Sequence, residues 1–219
     1  MLMRNGVKYK DTNQDTRIVL ASASPRREKI LKLFKLDFEV VKPVGVEEEY
    51  LRSPCNTVIH NSIRKVKDVY QIVKQGKPEF LCHDRGKTSR LLIAGFDTVV
   101  YLKGRYFGKP SDNEQAFEYL KALSGKTHLV VSGACLFDSD REEYSCAADI
   151  TKVKFRKLTS EEIENYLRNE YVLDKAGAYD ISSYGALLVE RIEGCFFNVA
   201  GIPVSKLVKL FTKFGYKII

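Results

Sequence analysis

An α/β domain built on a mixed sheet is what this sequence of 219 residues predicts, and three observations carry it. Short β-branched and apolar runs of strand length alternate with stretches whose apolar residues recur every three or four positions. Some connections between the apolar runs are long enough to hold the helix of a parallel crossover, whereas the one around Asp138-Ser139-Asp140-Arg141 suits only a hairpin. Hydrophobic content of 44% and charged content of 29% are ordinary globular values, and no apolar run approaches the roughly 18 residues of a spanning helix. A single globular unit over residues 17–219 is expected, behind a loose tail at 1–16 that lacks the apolar core of a signal peptide.

Taken in order, Arg17 to Ala21 reads as a short buried strand. Ser22 to Arg27 turns it into a helix with Ser24 as N-cap, Pro25 in the first helical position, and Ile30, Leu31 and Phe34 on one face. Arg26 and Arg27 then stand in the first turn, where the dipole disfavours cations and free N–H groups favour anions; a negative ligand is one reading and solvent exposure the other. Leu36 to Val41 suggests a second strand. Glu47, Glu48 and Glu49 read as a solvated face or the start of a helix, or as the source of a magnesium ligand. Residues 54–75 form a long helix with Ile59, Ile63, Val66, Tyr70 and Val73 on its stripe, flanked by Lys65, which alone reads as a snorkelling surface lysine. Residues 76–90 show no periodicity and read as a loop insertion.

Leu91 to Ala94 and Val99 to Leu102 read as strand, with Asp97 inside the apolar run. A carboxylate there either caps a bulge through Gly95 and Thr98, or serves as a metal ligand or general base at a strand end. Ser111 to Glu114 resembles a capping box for a helix through Ala116, Leu120 and Leu123, closed by Gly125. His128 to Phe137 and Tyr144 to Leu158 read as an antiparallel pair, and Thr159 to Glu162 caps the next helix. Asp174 to Tyr179 is a glycine-containing turn, Leu187 to Ile192 a strand, and the chain ends in an amphipathic helix with Leu207, Val208, Leu210, Phe211 and Phe214.

A net charge of +8 attracts phosphate-bearing ligands, but the lysines are spread over helices, which argues against a dedicated nucleic-acid surface. Five cysteines are odd in number and scattered, as suits a reducing compartment and no zinc site, and Cys82-His83-Asp84 lacks partners at ligand spacing. Arg26, Arg27, Lys65, Lys109 and Lys175 supply cations, and Glu48 and Asp97 acids, near the ends of predicted elements. That inventory suits nucleoside triphosphate hydrolysis by direct attack of water: cations hold phosphates, carboxylates hold a divalent ion, and one acid takes a proton.

The motifs LASASPRR (20–27), GFDTVV (95–100), GKPSD (108–112), LSGKTH (123–128), DKAGAY (174–179) and FNVAGIP (197–203) together resemble the Maf family of nucleotide pyrophosphatases, also called septum formation inhibitor proteins. The resemblance implies a fold like that of inosine triphosphate pyrophosphatases, a long twisted mixed sheet with two lobes around a cleft, in an often dimeric, cytoplasmic protein. It also implies hydrolysis of a nucleoside triphosphate to the monophosphate and pyrophosphate with Mg²⁺ or Mn²⁺. By matching positions, Asp97 is the expected proton acceptor and, with Glu48, a metal ligand; Ser24, Arg27, Lys65 and Lys109 are phosphate contacts, with Lys109 counted in the catalytic set; Arg26 and Thr98 fall where base choice is tuned. Lys175 belongs to DKAGAY, which resembles the branch acting on dTTP and UTP. Where that branch has Gly-Ile-Gln-Gly, this chain reads Asp180-Ile181-Ser182-Ser183, so Ser182 offers a shorter group to a base edge than glutamine would. The competing reading is a nucleotide- or RNA-binding regulator of cell division without catalysis.

Overall fold

Buried apolar runs that alternate between two covered faces define the sheet. In the computed structural model, which describes residues 16–46, 48–76, 82–83, 87–88 and 90–219, β1 (Thr16–Ala21) lies parallel to β2 (Glu39–Val41) on one side and to β5 (Arg90–Leu102) on the other. Helix α1 (Pro25–Leu33) follows β1, and α2 (Pro54–Gly76) follows β2, as parallel crossovers require. From β5 onward the pairing is antiparallel: with β6 (Arg105–Phe107), with β7 (Thr127–Asp138), then β7 with β8 (Glu143–Phe155) and β8 with β9 (Val189–Glu193). The order is β2-β1-β5-β7-β8-β9, with β6 alongside β5, and β3 (Cys82–His83) and β4 (Lys87–Thr88) form a separate hairpin. The mixed sheet expected from the sequence is therefore present.

One face carries Ile18, Leu20, Leu92, Ala94 and Phe96 into the larger core, together with α1, α3 (Asn113–Leu123), α4 (Ser160–Asn169) and α6 (Val204–Lys213). The other carries Val19, Ala21, Leu91 and Ile93 against Val66, Val69 and Val73 of α2. Because both faces are covered, β1 and β5 read as continuous apolar runs. A short α5 (Phe196–Val199) precedes α6. No helix among the described residues is long and apolar enough to cross a membrane.

Several expectations change. β5 is one strand of 13 residues, paired with β7 without interruption from Leu92 to Tyr101, so Asp97 caps no bulge and stands mid-strand. The buried side of α2 runs through Val58, Val66, Val69 and Val73 and includes Thr57, Asn61, Ser62 and Lys65, whereas Ile59, Ile63 and Tyr70 are only half-buried. Lys65 is thus no surface lysine. The α3 cap falls one residue later than expected: Asp112 accepts from the Gln115 N–H, and Gln115 accepts from the Ser111 N–H. Cys135 and Cys146, eleven residues apart, face each other across β7 and β8 with sulfurs 2.8 Å apart. The expected tail at 1–16, except Thr16, lies outside the described residues, as do Glu47 and most of the expected insertion at 76–90.

Candidate active site

The site begins with how closely α2 lies on the sheet. A Cβ added at Gly95 would stand 2.7 Å from the Ser62 carbonyl, and one at Gly133 would stand 2.7 Å from the Val58 carbonyl group. Only glycine permits that approach. Gly133 is the register partner of Asp97, so the helix is pressed against the sheet where the carboxylate stands. Asn61 and Lys65, one turn apart, then both reach it. Lys65 Nζ donates to Asp97 Oδ1 at 2.5 Å and to the Phe96 carbonyl at 3.3 Å, while Asn61 Nδ2 donates to Asp97 Oδ2 at 3.1 Å. Asp97 is 1% exposed and Lys65 9%. Burial holds the Lys65 ammonium below its usual value; Asp97 opposes that shift and Arg27 adds to it.

The same helix fastens the loop after β2. Asn61 also exchanges hydrogen bonds with the Glu49 backbone, donating to its carbonyl at 3.1 Å and accepting from its N–H at 3.2 Å. His60 and Arg64 hold the Glu49 carboxylate at 3.0 and 2.6 Å. Glu49 is therefore tied to α2, and Glu48 is the acid that lines the cleft. Glu48 accepts from Lys109 Nζ at 2.7 Å and from the Tyr50 hydroxyl at 3.1 Å. Burial pushes Glu48 up, but Lys109, Lys65 and Tyr50 together outweigh it and leave the carboxyl below its usual range. The Gly108 carbonyl beside Lys109 takes the Gly177 N–H at 3.0 Å, which ties GKPSD to DKAGAY.

From the other side comes α1. Arg27 Nη2 donates to Thr98 Oγ1 and Nε to the Gly201 carbonyl, both at 3.1 Å. Burial lowers the guanidinium to about 10 against the opposing charge of Asp97. Thr98 in turn lies 2.9 Å from Ser132 Oγ, so its hydroxyl works on Arg27 within a partly buried chain of hydrogen bonds. Ser24 occupies the N-cap with extended backbone, yet its side chain makes no cap bond, leaving the first N–H groups of α1 available to an anion.

These parts enclose a cleft of about 240 Å³ that brings together Ser24, Arg26, Arg27, Glu48, Lys65, Asp97, Thr98 and Lys109. Its place follows from topology: β1 pairs with β5 as far as Gly95, and β6 pairs with β5 from Val100. Between them no strand among the described residues pairs with that edge of β5, at the carboxyl end of β1, where α/β sheets characteristically open. Lys175 and Ser182 lie elsewhere. Both line an adjoining cavity of about 350 Å³ that shares Ser24, Arg26 and Asp174 with the cleft. Lys175 is paired there with Asp174 at 2.6 Å. Asn61 was not singled out by sequence; its signal was a polar residue one turn before Lys65 on the same face of α2. Among the described residues no group of three or more His, Cys, Asp or Glu side chains gathers as a metal cluster.

A family model described as Maf-like protein matches residues 17–214. Relatives named dTTP/UTP pyrophosphatase include one from Carboxydothermus hydrogenoformans, 38% identical over 91% of this chain and 100% of that protein. Another from Acetivibrio thermocellus is 41% identical over 93% and 98%, and one from Thermotoga maritima is 42% identical over 86% and 85%. The solved structure of the Staphylococcus aureus Ham1 protein aligns at 17% identity and a TM-score of 0.39, over 64% of this chain and 71% of that one, too slight a likeness to add to the fold described above.

Proposed function

Because the chain belongs to the Maf-like protein family, we propose that it is a nucleoside triphosphate pyrophosphatase that hydrolyses dTTP and UTP to the monophosphate and pyrophosphate, as the names of its relatives suggest. The observation that carries this reading is Asp97: a buried carboxylate held by Lys65 and Asn61 at the floor of a cleft lined by Arg27 and Lys109. Each carboxylate oxygen has two lone pairs, so both keep acceptor capacity beyond the bonds to Lys65 and Asn61. In this mechanism a water at the carboxylate gives its proton to Asp97 as it attacks the phosphorus, and the pyrophosphate leaves. Arg27, Lys65 and Lys109 hold the phosphates and balance the charge that develops on the leaving group, with Ser24 and the N-terminal N–H groups of α1 beside them.

Glu48 and Asp97 are also the pair that would hold a divalent ion. Both line the cleft, and hard carboxylate oxygens suit Mg²⁺ or Mn²⁺, which take one or two carboxylates and complete their shells with water and substrate phosphate. Such an ion supplies further neutralisation of phosphate charge. The same reading puts Arg26, Lys175 and Ser182, which line the adjoining cavity, on the nucleoside side, while Thr98, in the cleft and bonded to Arg27, would tune base choice only through that arginine. It makes the protein cytoplasmic, in keeping with free Cys55, Cys135, Cys146 and Cys195, and a homodimer, for which sedimentation of the purified protein is the check.

Product analysis tests the reading. With dTTP or UTP and Mg²⁺ or Mn²⁺, monophosphate and pyrophosphate are expected in equal amounts. Diphosphate and orthophosphate would show cleavage of the wrong bond, and tight nucleotide binding without any release would favour a non-catalytic regulator.

A further inference from the structure

Away from the cleft, two nucleophilic side chains meet inside the sheet. Cys135 of β7 and Cys146 of β8 are register partners, and their sulfurs lie 2.8 Å apart on the face that α2 covers. Directly opposed residues of an antiparallel ladder have Cα atoms about 4.5 or 5.5 Å apart, and both separations fall within the range that a disulfide spans. Bond formation at about 2.05 Å therefore asks the sulfurs to move by less than about 1 Å, with no change of register. Both are free thiols, and neither lines the cleft.

The two thiols are unequal. Cys135 is 1% exposed, in the cluster that holds Val66, Val69 and Phe137, whereas Cys146 is half-buried at the margin of that cluster. The hydrogen bond between them raises Cys135, as burial does, so Cys135 keeps its proton. The same hydrogen bond lowers Cys146; burial opposes that shift and the charge of Lys213 adds to it. The more accessible sulfur is thus the one that ionises, with a protonated thiol behind it. Tyr144 stands two residues before Cys146 and on the same face of β8. With Lys67, Tyr70 and Phe137 it lines a cavity of about 340 Å³, which brings solvent to that side of the strand.

Reversible thiol oxidation needs this division: an accessible, ionised sulfur to attack and a neighbouring thiol to resolve. We infer that Cys135 and Cys146 form a redox-active dithiol, Cys146 attacking and Cys135 resolving, which a hydroperoxide converts reversibly into a disulfide joining β7 to β8. With hydrogen peroxide, the Cys146 thiolate attacks one oxygen, the O–O bond breaks, and hydroxide leaves and takes up a proton as water. Cys146 is then a sulfenic acid. The Cys135 sulfur attacks the sulfenic sulfur, the S–O bond breaks, and the hydroxyl leaves as water with the Cys135 proton. Two thiols are oxidised by two electrons in all, and one peroxide is reduced to two waters. A dithiol reductant reverses the change by thiol–disulfide exchange, so in a reducing compartment the bond is transient. Neither step involves the nucleotide.

Peptide mapping tests this. The fully reduced chain is treated with a small excess of hydrogen peroxide, the peroxide is removed with catalase, and the remaining thiols are alkylated in denaturant. The intact mass should fall by about 2 Da before alkylation. Two of the five thiols should escape alkylation, in a peptide pair linked through Cys135 and Cys146, and dithiothreitol should restore both. In Cys135→Ala the resolving thiol is gone, so Cys146 should stop at a sulfenic acid that dimedone traps. In Cys146→Ala the peroxide reaction at Cys135 should slow roughly tenfold or more. Cys135 and Cys146 that both remain alkylatable in the wild-type protein after its other thiols are oxidised would overturn the inference. So would a disulfide between other cysteines, or Cys146 driven to sulfinic acid beside a reduced Cys135. The wild-type map stands without the variants, should either fail to fold.

Discussion

Asn61 shows how much a single amide settles. Its NH₂ holds Asp97 and the Glu49 carbonyl, and its oxygen takes the Glu49 N–H, so one side chain sets both the carboxylate and the loop that bears Glu48. Asn61→Leu should lower kcat roughly tenfold or more while KM for the nucleotide moves by less than about threefold, because the phosphate cations remain and only the aim of the base is lost. Steady-state kinetics alongside direct nucleotide binding would check this, and equal losses in both would mark Asn61 as merely structural. The residue types of the site were legible in sequence: Asp97, Lys109, Glu48 and the arginine pair meet in one cleft. Their supports were not. Taken alone, Lys65 reads as a surface lysine, and only the family resemblance marks it as a phosphate contact, because a helix periodicity cannot tell which neighbouring strand lies beneath it, and here the strand beneath carries an acid. For the same reason the departure at 180–183 was visible as a lost glutamine, whereas the grip of Asp180 on Arg26 needs the fold.

At the scale of elements, α2 lying on β5 and β7 is the joint that assembles the site. Gly133→Ala would drive a methyl into the Val58 backbone, which no side-chain rotation relieves. We expect a destabilisation of about 1–3 kcal/mol in urea titration, with activity falling further than the loss of folded protein explains, since Lys65 and Asn61 ride on the helix. Unchanged stability and turnover would show that the close approach is dispensable. The order of helices and strands could be read from periodicity, as the capping box of Thr159 and Glu162 confirms. Two details could not. Gly95 and Asp97 interrupt the apolar pattern of β5, although pairing with β7 carries the strand through, and of the expected α2 stripe Val66 and Val73 are buried while the rest of that face is set by Val58, Val69 and polar residues that an apolar period does not mark.

Across the whole molecule, His128 joins β7 to the segment that follows α4. Its Nε2 lies 3.0 Å from the Tyr179 hydroxyl, its ring packs edge to face on Phe155, and Nδ1 is buried without a partner. Burial lowers His128 to about 4. Since the folded value lies below the unfolded one, its contribution is complete above about pH 6.5 and is lost as pH falls towards about 4. From pH 7 to 5 that loss is roughly 2 kcal/mol, which urea titration should register and which should largely disappear in His128→Gln. Residues 17–219 are expected to unfold in one cooperative transition in the same titrations, because one sheet carries both cores; two transitions would separate the halves. The most direct test of the central claim is turnover of dTTP and UTP by Asp97→Asn, with nucleotide affinity measured on the same folded sample. Replacing the proposed proton acceptor while keeping its shape should reduce kcat by about a hundredfold or more and leave affinity nearly intact. Wild-type turnover in that variant would contradict the assignment of Asp97 and the mechanism built on it.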